Sequence, residues 1–507
     1  MPPKYQVRAR FSSTISVVGL LVVSALSSFA NGQPAAAPPP PPALPPAPPP
    51  APAAMPAPLE ASPAPVLDPN QPLAGVSDGS MFLRSPDNEF VFFPSGRLQV
   101  DSYFFSSDNK TPNNTFLIRR ARLELAGWIA RLAYFHLAGD FAAGVPATSG
   151  VPAVQTNLNT TDDFVALAPF GTIVALQVGQ YDAPFTLENR TSDKYFDFME
   201  RSITVRAFGI PSNKEIGTMV HGYDEPRRFM YSVGVFNGDG QNYRNLDTHF
   251  DWMGRAWVAP FALVGDGPLR DATIGGSFWT GERTNTLAPT SQTTQGGFTF
   301  LSFSQYTTSM TAGMPNIPVQ LRQNGRLKAF AGELNVPVAH RYGLRYELVW
   351  KENPLSEDQI ATNGTGTSLG SADLKGYSMY GELWYWVLGD DKIIGDQQGL
   401  EPYTRLKKFG VTPPRNGVMV AARFEYLNED VTEDATVAAL TLGNPAIGKT
   451  KVTSYELGLN YWRSKRFRAT FNYVLNHFDR GTGATAFLAA LPSAYEQEFL
   501  FRLAVAL

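Results

Sequence analysis

From about Gly96 to Leu507 apolar and polar residues alternate with a period of two, in segments of ten or so residues closed by Gly, Asn, Asp or Pro. A strand sends successive side chains to opposite faces, so each segment predicts a strand with one apolar and one ionic side. Arg341–Lys351 is the clearest case: Tyr342, Leu344, Tyr346, Leu348 and Trp350 oppose Arg341, Arg345, Glu347 and Lys351. In Phe116–Trp128, Leu117, Ala121, Leu123 and Leu125 oppose Arg120, Arg122 and Glu124. Asp251–Pro260, Lys451–Tyr461 and Arg466–His477 repeat the arrangement. No sustained 3.6-residue apolar pattern accompanies it.

A soluble β-sandwich would also alternate, but three features point elsewhere. The segments match the ~9–11 residues that cross a bilayer with tilt. Their apolar faces carry Tyr, Trp and Phe near the ends, where interfacial girdles lie. The ionic faces all need water, and a water-filled lumen supplies it. Backbone groups in lipid must all be paired, which only a closed barrel achieves with strands. The pattern therefore predicts an all-β, transmembrane antiparallel barrel over residues 96–507.

Sixteen strands are predicted, near 96–105, 116–127, 131–141, 161–168, 172–181, 214–223, 228–237, 251–260, 271–281, 325–336, 341–351, 374–389, 417–429, 451–463, 466–478 and 495–507. Phe298–Tyr306 would make the number odd and is assigned to an outer loop, because bacterial barrels are even-numbered. Eighteen strands is the fallback. Short turns then alternate with long loops, apart from Asp390–Asn416, which is long where a turn is expected.

Ahead of the barrel, Lys4, Arg8 and Arg10 precede an apolar stretch, Ile15–Leu26, and Ser28-Phe29-Ala30 offers a cleavage site. Residues 1–30 read as a signal peptide. Residues 31–73 are a Pro/Ala-rich linker expected to be disordered and extended, at ~3.1 Å per residue. It serves either as a periplasmic strut contacting peptidoglycan or as a leader without a partner. Residues 74–95 are a lead-in.

Composition removes several functions. The chain has no cysteine, which excludes disulfides, thiol nucleophiles and a lipid anchor on Cys. A net charge of −3 argues against nucleic acid. The five histidines, His136, His221, His249, His340 and His477, are scattered with no spacing that joins one to a serine, and no GxSxG, HExxH or P-loop occurs. The expectation is a channel, not an enzyme, with no cofactor and no metal. An outer-membrane barrel enzyme is the competing class.

Several segments resemble the phosphate-selective porin O and P family of Gram-negative outer membranes: NTFLIRRARLELAGW (Asn114–Trp128), VGQYDAPFTLE (Val178–Glu188), FMERS (Phe198–Ser202), YSVGVFNGDG (Tyr231–Gly240), WMGRAWVAPF (Trp252–Phe261), VAARFEYLN (Val420–Asn428) and GLNYW (Gly458–Trp462). The resemblance implies a sixteen-stranded outer-membrane barrel, usually a homotrimer embedded in lipid, that passes anions by diffusion. It also implies that the charged connection Asp182–Asn213 folds into the lumen and narrows it. There Tyr195–Ser202 is expected to form a short helix, with Glu188, Arg190, Lys194, Glu200 and Arg201 facing the passage. The pore-lining candidates are Arg120, Arg122, Arg255, Arg341, Arg345, Arg423 and Arg468, with Arg466 and Arg502 also inward. Inward carboxylates, among them Asp101, Glu124, Asp251, Glu347, Glu425, Glu456, Glu496 and Glu498, nearly balance them. Such a ring of charges filters ions by sign. The expected function is passive diffusion of small hydrophilic solutes with anion preference, phosphate being one candidate. A general or sugar-permissive porin is the alternative.

Overall fold

Period-two alternation closes here into one cylinder. The computed structural model describes residues 72–77, 80–109, 112–142, 159–284, 287–309, 316–360, 366–393, 403, 405–406, 416–434 and 444–506. The chain divides into Met1–Ala64 and Pro65–Leu507. All described residues belong to the second unit. The signal peptide and nearly all of the Pro/Ala linker lie outside the described residues.

Sixteen antiparallel strands form the barrel. They are β1 (Phe90–Ser106), β2 (Thr115–Ile129), β3 (Ala133–Asp140), β4 (Asp163–Leu167), β5 (Ala175–Asp182), β6 (Lys214–Tyr223), β7 (Phe229–Phe236) and β8 (Asp251–Val258). The second half is β9 (Thr273–Thr284), β10 (Asn316–Val338), β11 (Tyr342–Ile360), β12 (Gly366–Leu388), β13 (Gly417–Glu433), β14 (Gly448–Ser464), β15 (Phe467–Phe478) and β16 (Tyr495–Ala506). Each strand pairs with its neighbours in sequence, and β16 pairs back to β1 from Gln497↔Ser106 to Ala506↔Arg97. Among the described residues the sixteen-strand cylinder has no free edge, as lipid requires.

Each predicted segment is present as a strand. The main differences are at the ends. β1 begins at Phe90 rather than Gly96, and the lead-in is a hairpin, Ala74–Ser77 with Ser80–Arg84, that pairs with β1 through Leu83↔Phe92 and Arg84↔Val91. β10, β11 and β12 run well past their apolar stretches at the long-loop rim. There a register shift between Gln323 and Lys328 interrupts the alternation, and apolar residues such as Val319, Leu321, Leu355 and Leu374 are buried, so the period breaks although the ladder continues. At the opposite rim tight turns join the strands. Ala130/Arg131 and Ala339/His340 hold positive φ of 54°/55° and 49°/58°, the left-handed pair that suits the twist of a two-residue hairpin.

The outer face is an apolar band with aromatic borders. Tyr342 lies opposite Tyr385 near the short-turn rim. Eight residues further along β11, Trp350 sits between Phe330 and Tyr377, its ring stacked 6.0 Å from that of Phe330. That separation is ~27 Å along the strand, or roughly 20 Å of height once tilted by ~40°.

The inner face is polar, and chain segments enter the lumen against it. One is the β5–β6 connection, Ala183–Asn213. Another is the β9–β10 connection, where Gln292–Thr293 pairs with Thr299–Leu301. Phe298–Tyr306, expected in an outer loop, indeed adds no barrel strand, but part of it turns inward: Phe298 and Phe300 pack 5.5 and 5.9 Å from Phe478. From the long β12–β13 connection Tyr403 also reaches in. Its hydroxyl lies 2.7 Å from His221 Nε2 and its ring 4.7 Å from that of Tyr134.

Candidate functional site

The inward loop Ala183–Asn213 carries two short helices, α1 (Leu187–Arg190) and α2 (Ile203–Phe208). The helix expected over Tyr195–Ser202 is absent; that stretch is bends and irregular backbone. The reason is local. Ser202 is an N-cap, its Oγ accepting from Val205 N at 3.3 Å while donating to Glu188 Oε2 at 2.6 Å. A capping serine starts a helix rather than ending one.

Ion pairs and hydrogen bonds stitch this loop to the wall. Arg423 Nη1 lies 3.1 Å from Glu188 Oε1, and Arg345 Nη1 lies 3.1 Å from Asp197 Oδ2. Asn472 Oδ1 accepts from Met199 N at 2.8 Å, and Asn460 Nδ2 donates to Asp197 O at 2.8 Å. Phe198 lies under the Arg423 guanidinium at 4.4 Å. Gly458 makes room for it, since a Cβ there would stand 3.1 Å from the Phe198 ring.

Beside the loop lies a cavity of about 280 Å³ lined by Arg97, Arg119, Arg120, Arg122, Arg201 and Lys214, against three carboxylates, Asp162, Asp182 and Asp193. A β-bulge builds its basic wall. The ladder pairs Gln99 with Arg120 and Val100 with Ile118, so Arg119 is an extra residue on β2. A bulge re-aims side chains, and here Arg119 and Arg120 both turn inward. The bulge also corrects the expected face of Leu117. It packs inside with Tyr103, Met199, Val474 and Leu500, not on the lipid side.

The arginines of this wall are held in place by two loop carboxylates. Asp193 Oδ2 lies 2.7 Å from Arg120 Nε and 3.3 Å from Arg122 Nη1, and its other oxygen pairs with Arg97. Glu200 meets Arg119 at 3.0 Å, Arg120 at 3.6 Å and Arg502 at 2.7 Å. Burial alone would raise the Glu200 carboxyl, but Arg119, Arg120 and Arg502 outweigh it and hold it well below the usual carboxylate range. Lys194 reaches Glu124 Oε2 at 3.1 Å. Burial, with the Arg97 and Arg122 guanidinium groups nearby, pushes its ammonium down to about 8 against the pull of Glu124.

The candidates thus separate. Arg120, Arg122 and Arg201 line the cavity, and Lys194 and Glu200 lie among its charges. Arg255 is instead closed into a two-point pair with Glu333, 2.8 Å at each contact. Arg345 and Arg423 are loop tethers; Arg423 also meets Glu425 at 2.9 Å and Glu456 at 2.7 Å. Arg468 donates to Asn460 Oδ1 and lies 4.6 Å over Trp462. Glu188 and Arg190 are taken up in tethering contacts: Glu188 accepts from Ser202 of the loop and pairs with Arg423 of the wall, and Arg190 donates to Asp182 O. Arg341 and Arg466 are corrections as well. Both fall in short turns outside the strands, with Arg341 exposed and 5.9 Å over the outward ring of Tyr385.

Arg97, Arg119, Asp162, Asp193 and Lys214, which belong to the site, were not singled out from the sequence. Arg97 was visible in principle, because Arg97, Gln99 and Asp101 alternate along β1. The Arg119-Arg120 doublet breaks the alternation, which is how a bulge looks in a sequence.

A family model described as phosphate-selective porin O and P matches residues 94–494. A search of curated protein sequences found no match. Among solved structures, outer-membrane expressed OmpT of Vibrio cholerae is 9% identical, with a TM-score of 0.47, 84% of this chain covered and 100% of that one. The outer membrane channel DcaP of Acinetobacter baumannii is 9% identical, with a TM-score of 0.45 and coverages of 84% and 99%. An anion-selective porin from Comamonas acidovorans is 10% identical, with a TM-score of 0.42 and coverages of 83% and 100%. None of these structural likenesses bears on the choice of solute.

Proposed function

Because the chain belongs to the phosphate-selective porin O and P family, we propose that this outer-membrane porin passes small anions by passive diffusion, selected at the cavity beside the inward loop. One observation carries the reading: six cations against three carboxylates line a cavity beside the inward loop. Five of the six are arginines, whose planar forks suit oxyanions and stay charged at any physiological pH. Arg119, Arg120, Arg122 and Arg201 select, with Lys194 and Lys214 adding charge. Arg255, Arg345, Arg423 and Arg468 are positioning residues of wall and loop.

Purified protein in planar bilayers should give stepwise ohmic conductance, and added phosphate or sulfate should reduce chloride current by occupying the cavity. Conductance without such block supports a general porin. Ester or lipid hydrolysis without conductance would support a barrel enzyme instead. Phosphate as the preferred solute, a homotrimeric assembly in the lipid, and a periplasmic Pro/Ala spacer that contacts peptidoglycan belong to the same reading. Deleting Gln33–Gln71 should leave a folded barrel of unchanged conductance and alter only co-sedimentation with peptidoglycan.

A further inference from the structure

Beside the basic cavity, across the seam where β16 pairs with β1, the lumen wall is acidic. Glu429 on β13, Glu456 on β14 and Glu498 on β16 point inward and are at most 2% exposed. Open to the passage, these carboxylates would attract cations and cancel the anion preference proposed above. The chain segment that covers them is the inward hairpin of the β9–β10 connection. Gly296 N donates to Glu498 Oε2 at 2.7 Å, and Thr294 Oγ1 donates to the other oxygen of the same carboxylate. Gln292 Nε2 donates to Glu429 Oε2 at 2.8 Å, and Gln295 Nε2 donates to Glu456, which also faces Arg423.

The chemistry of the cover is unusual for this chain. Between Arg283 and Arg322 the sequence holds no Asp, Glu, Lys, Arg or His. The hairpin therefore occupies the carboxylates with neutral donors and adds no charge of its own. It is also fixed in place. Arg206 on α2 donates to Thr293 O at 2.6 Å, and Phe298 and Phe300 pack on Phe478. Its tip fits closely, since a Cβ on Gly296 would stand 2.7 Å from the Phe105 ring and 3.0 Å from the Glu498 carboxyl carbon.

We infer that the Gln292–Leu301 hairpin is a neutral cover over the acidic wall, and that by hiding Glu429, Glu456 and Glu498 it sets the sign of the channel's selectivity. The inference rests on the anion-channel reading. It makes the segment specificity-determining without giving it a contact to the permeating ion.

Two full-length proteins test it in planar bilayers under a KCl gradient. In one, Ala288–Ser304 is replaced by a short Gly-Ser linker. In the other, Gly296→Leu dislodges the tip without shortening the chain. Folding is checked by heat-modifiable migration, and the point variant serves if the excision fails to fold. Both are expected to conduct more than wild type and to move the chloride-to-potassium permeability ratio toward potassium, with inversion in the excised protein. Adding Glu429→Gln, Glu456→Gln and Glu498→Gln to the excised barrel should restore chloride preference. A folded variant with larger conductance and unchanged preference would overturn the cover while leaving the anion channel standing. A wild-type barrel that already lacks chloride preference would remove the anion-channel reading and the cover with it.

Discussion

Two chain segments enter the same lumen and meet its wall in opposite ways. Loop Ala183–Asn213 arrives charged, and it is held by pairs such as Glu188–Arg423, Asp197–Arg345 and Asp193–Arg120. The hairpin Gln292–Leu301 arrives without a charge and meets carboxylates with amide and hydroxyl donors. Both solve one problem: a polar group taken from water must find a partner. They leave different residues of charge. Counter-charges meet the cavity's cations pair by pair, Glu124, Asp140, Asp193 and Glu200 on its arginines and Asp162 and Asp182 on Lys214, and leave both signs at its lining, whereas neutral donors satisfy carboxylates while hiding them. A near balance of inward signs along the sequence therefore becomes a separation in space, basic on β1, β2 and the loop, acidic under the hairpin.

The largest effect expected from disturbing this contrast comes from the basic side. Arg119→Glu, Arg120→Glu and Arg122→Glu together should invert ion preference, changing the permeability ratio by about tenfold or more, roughly 1.4 kcal/mol per decade. An unchanged ratio would make these arginines structural partners of Asp193 and Glu200. Next comes the tether. Arg423 sits within reach of Glu188, Glu382, Glu425 and Glu456, with its side chain 1% exposed. Arg423→Ala strands buried carboxylates, a loss of about 3–5 kcal/mol. It should lower the temperature of the heat-modifiable transition and make single-channel current noisy. Wild-type melting and quiet current would mean that the loop is held elsewhere.

A smaller effect is expected with pH. A lysine pushed down to about 8 is charged below that pH and neutral above it. Anion preference should therefore weaken as pH rises through about 8, by an amount of about 0.2–1 kcal/mol, the scale of a solvent-accessible charge pair. Lys194→Arg should abolish the dependence; if the dependence persists, another group titrates. The smallest effect is expected from Arg341→Glu. This residue sits outside the lumen in a turn, so the reversal potential should stay at the wild-type value, and a shift would return Arg341 to the list of selecting residues.

Much of this architecture was legible because strands write their two faces directly into the sequence. The sixteen segments, the even number and the exclusion of Phe298–Tyr306 from the barrel all follow from period two and loop parity. What was not legible has physical causes. Leu117 was misplaced and Arg119 passed over because one bulge residue shifts the parity of everything beyond it. The arginines Arg255, Arg345 and Arg423 carry the same inward pattern as Arg120, and alternation cannot distinguish a cation that lines a cavity from one that tethers a loop or closes a wall pair. Their partners lie far off in the chain: Glu188 and Arg423 are 235 positions apart. The hairpin has no period at all, so its destination was invisible, although its lack of charge was not.

The most direct test is the reversal potential of the unmodified channel. Single channels of the purified protein, held between concentrated and dilute KCl, should show the sign of chloride preference, and the preference should shrink when the pH is taken above about 8. A reversal potential of the opposite sign, or one at zero, would contradict a passage whose open charge is basic and whose acidic wall is covered.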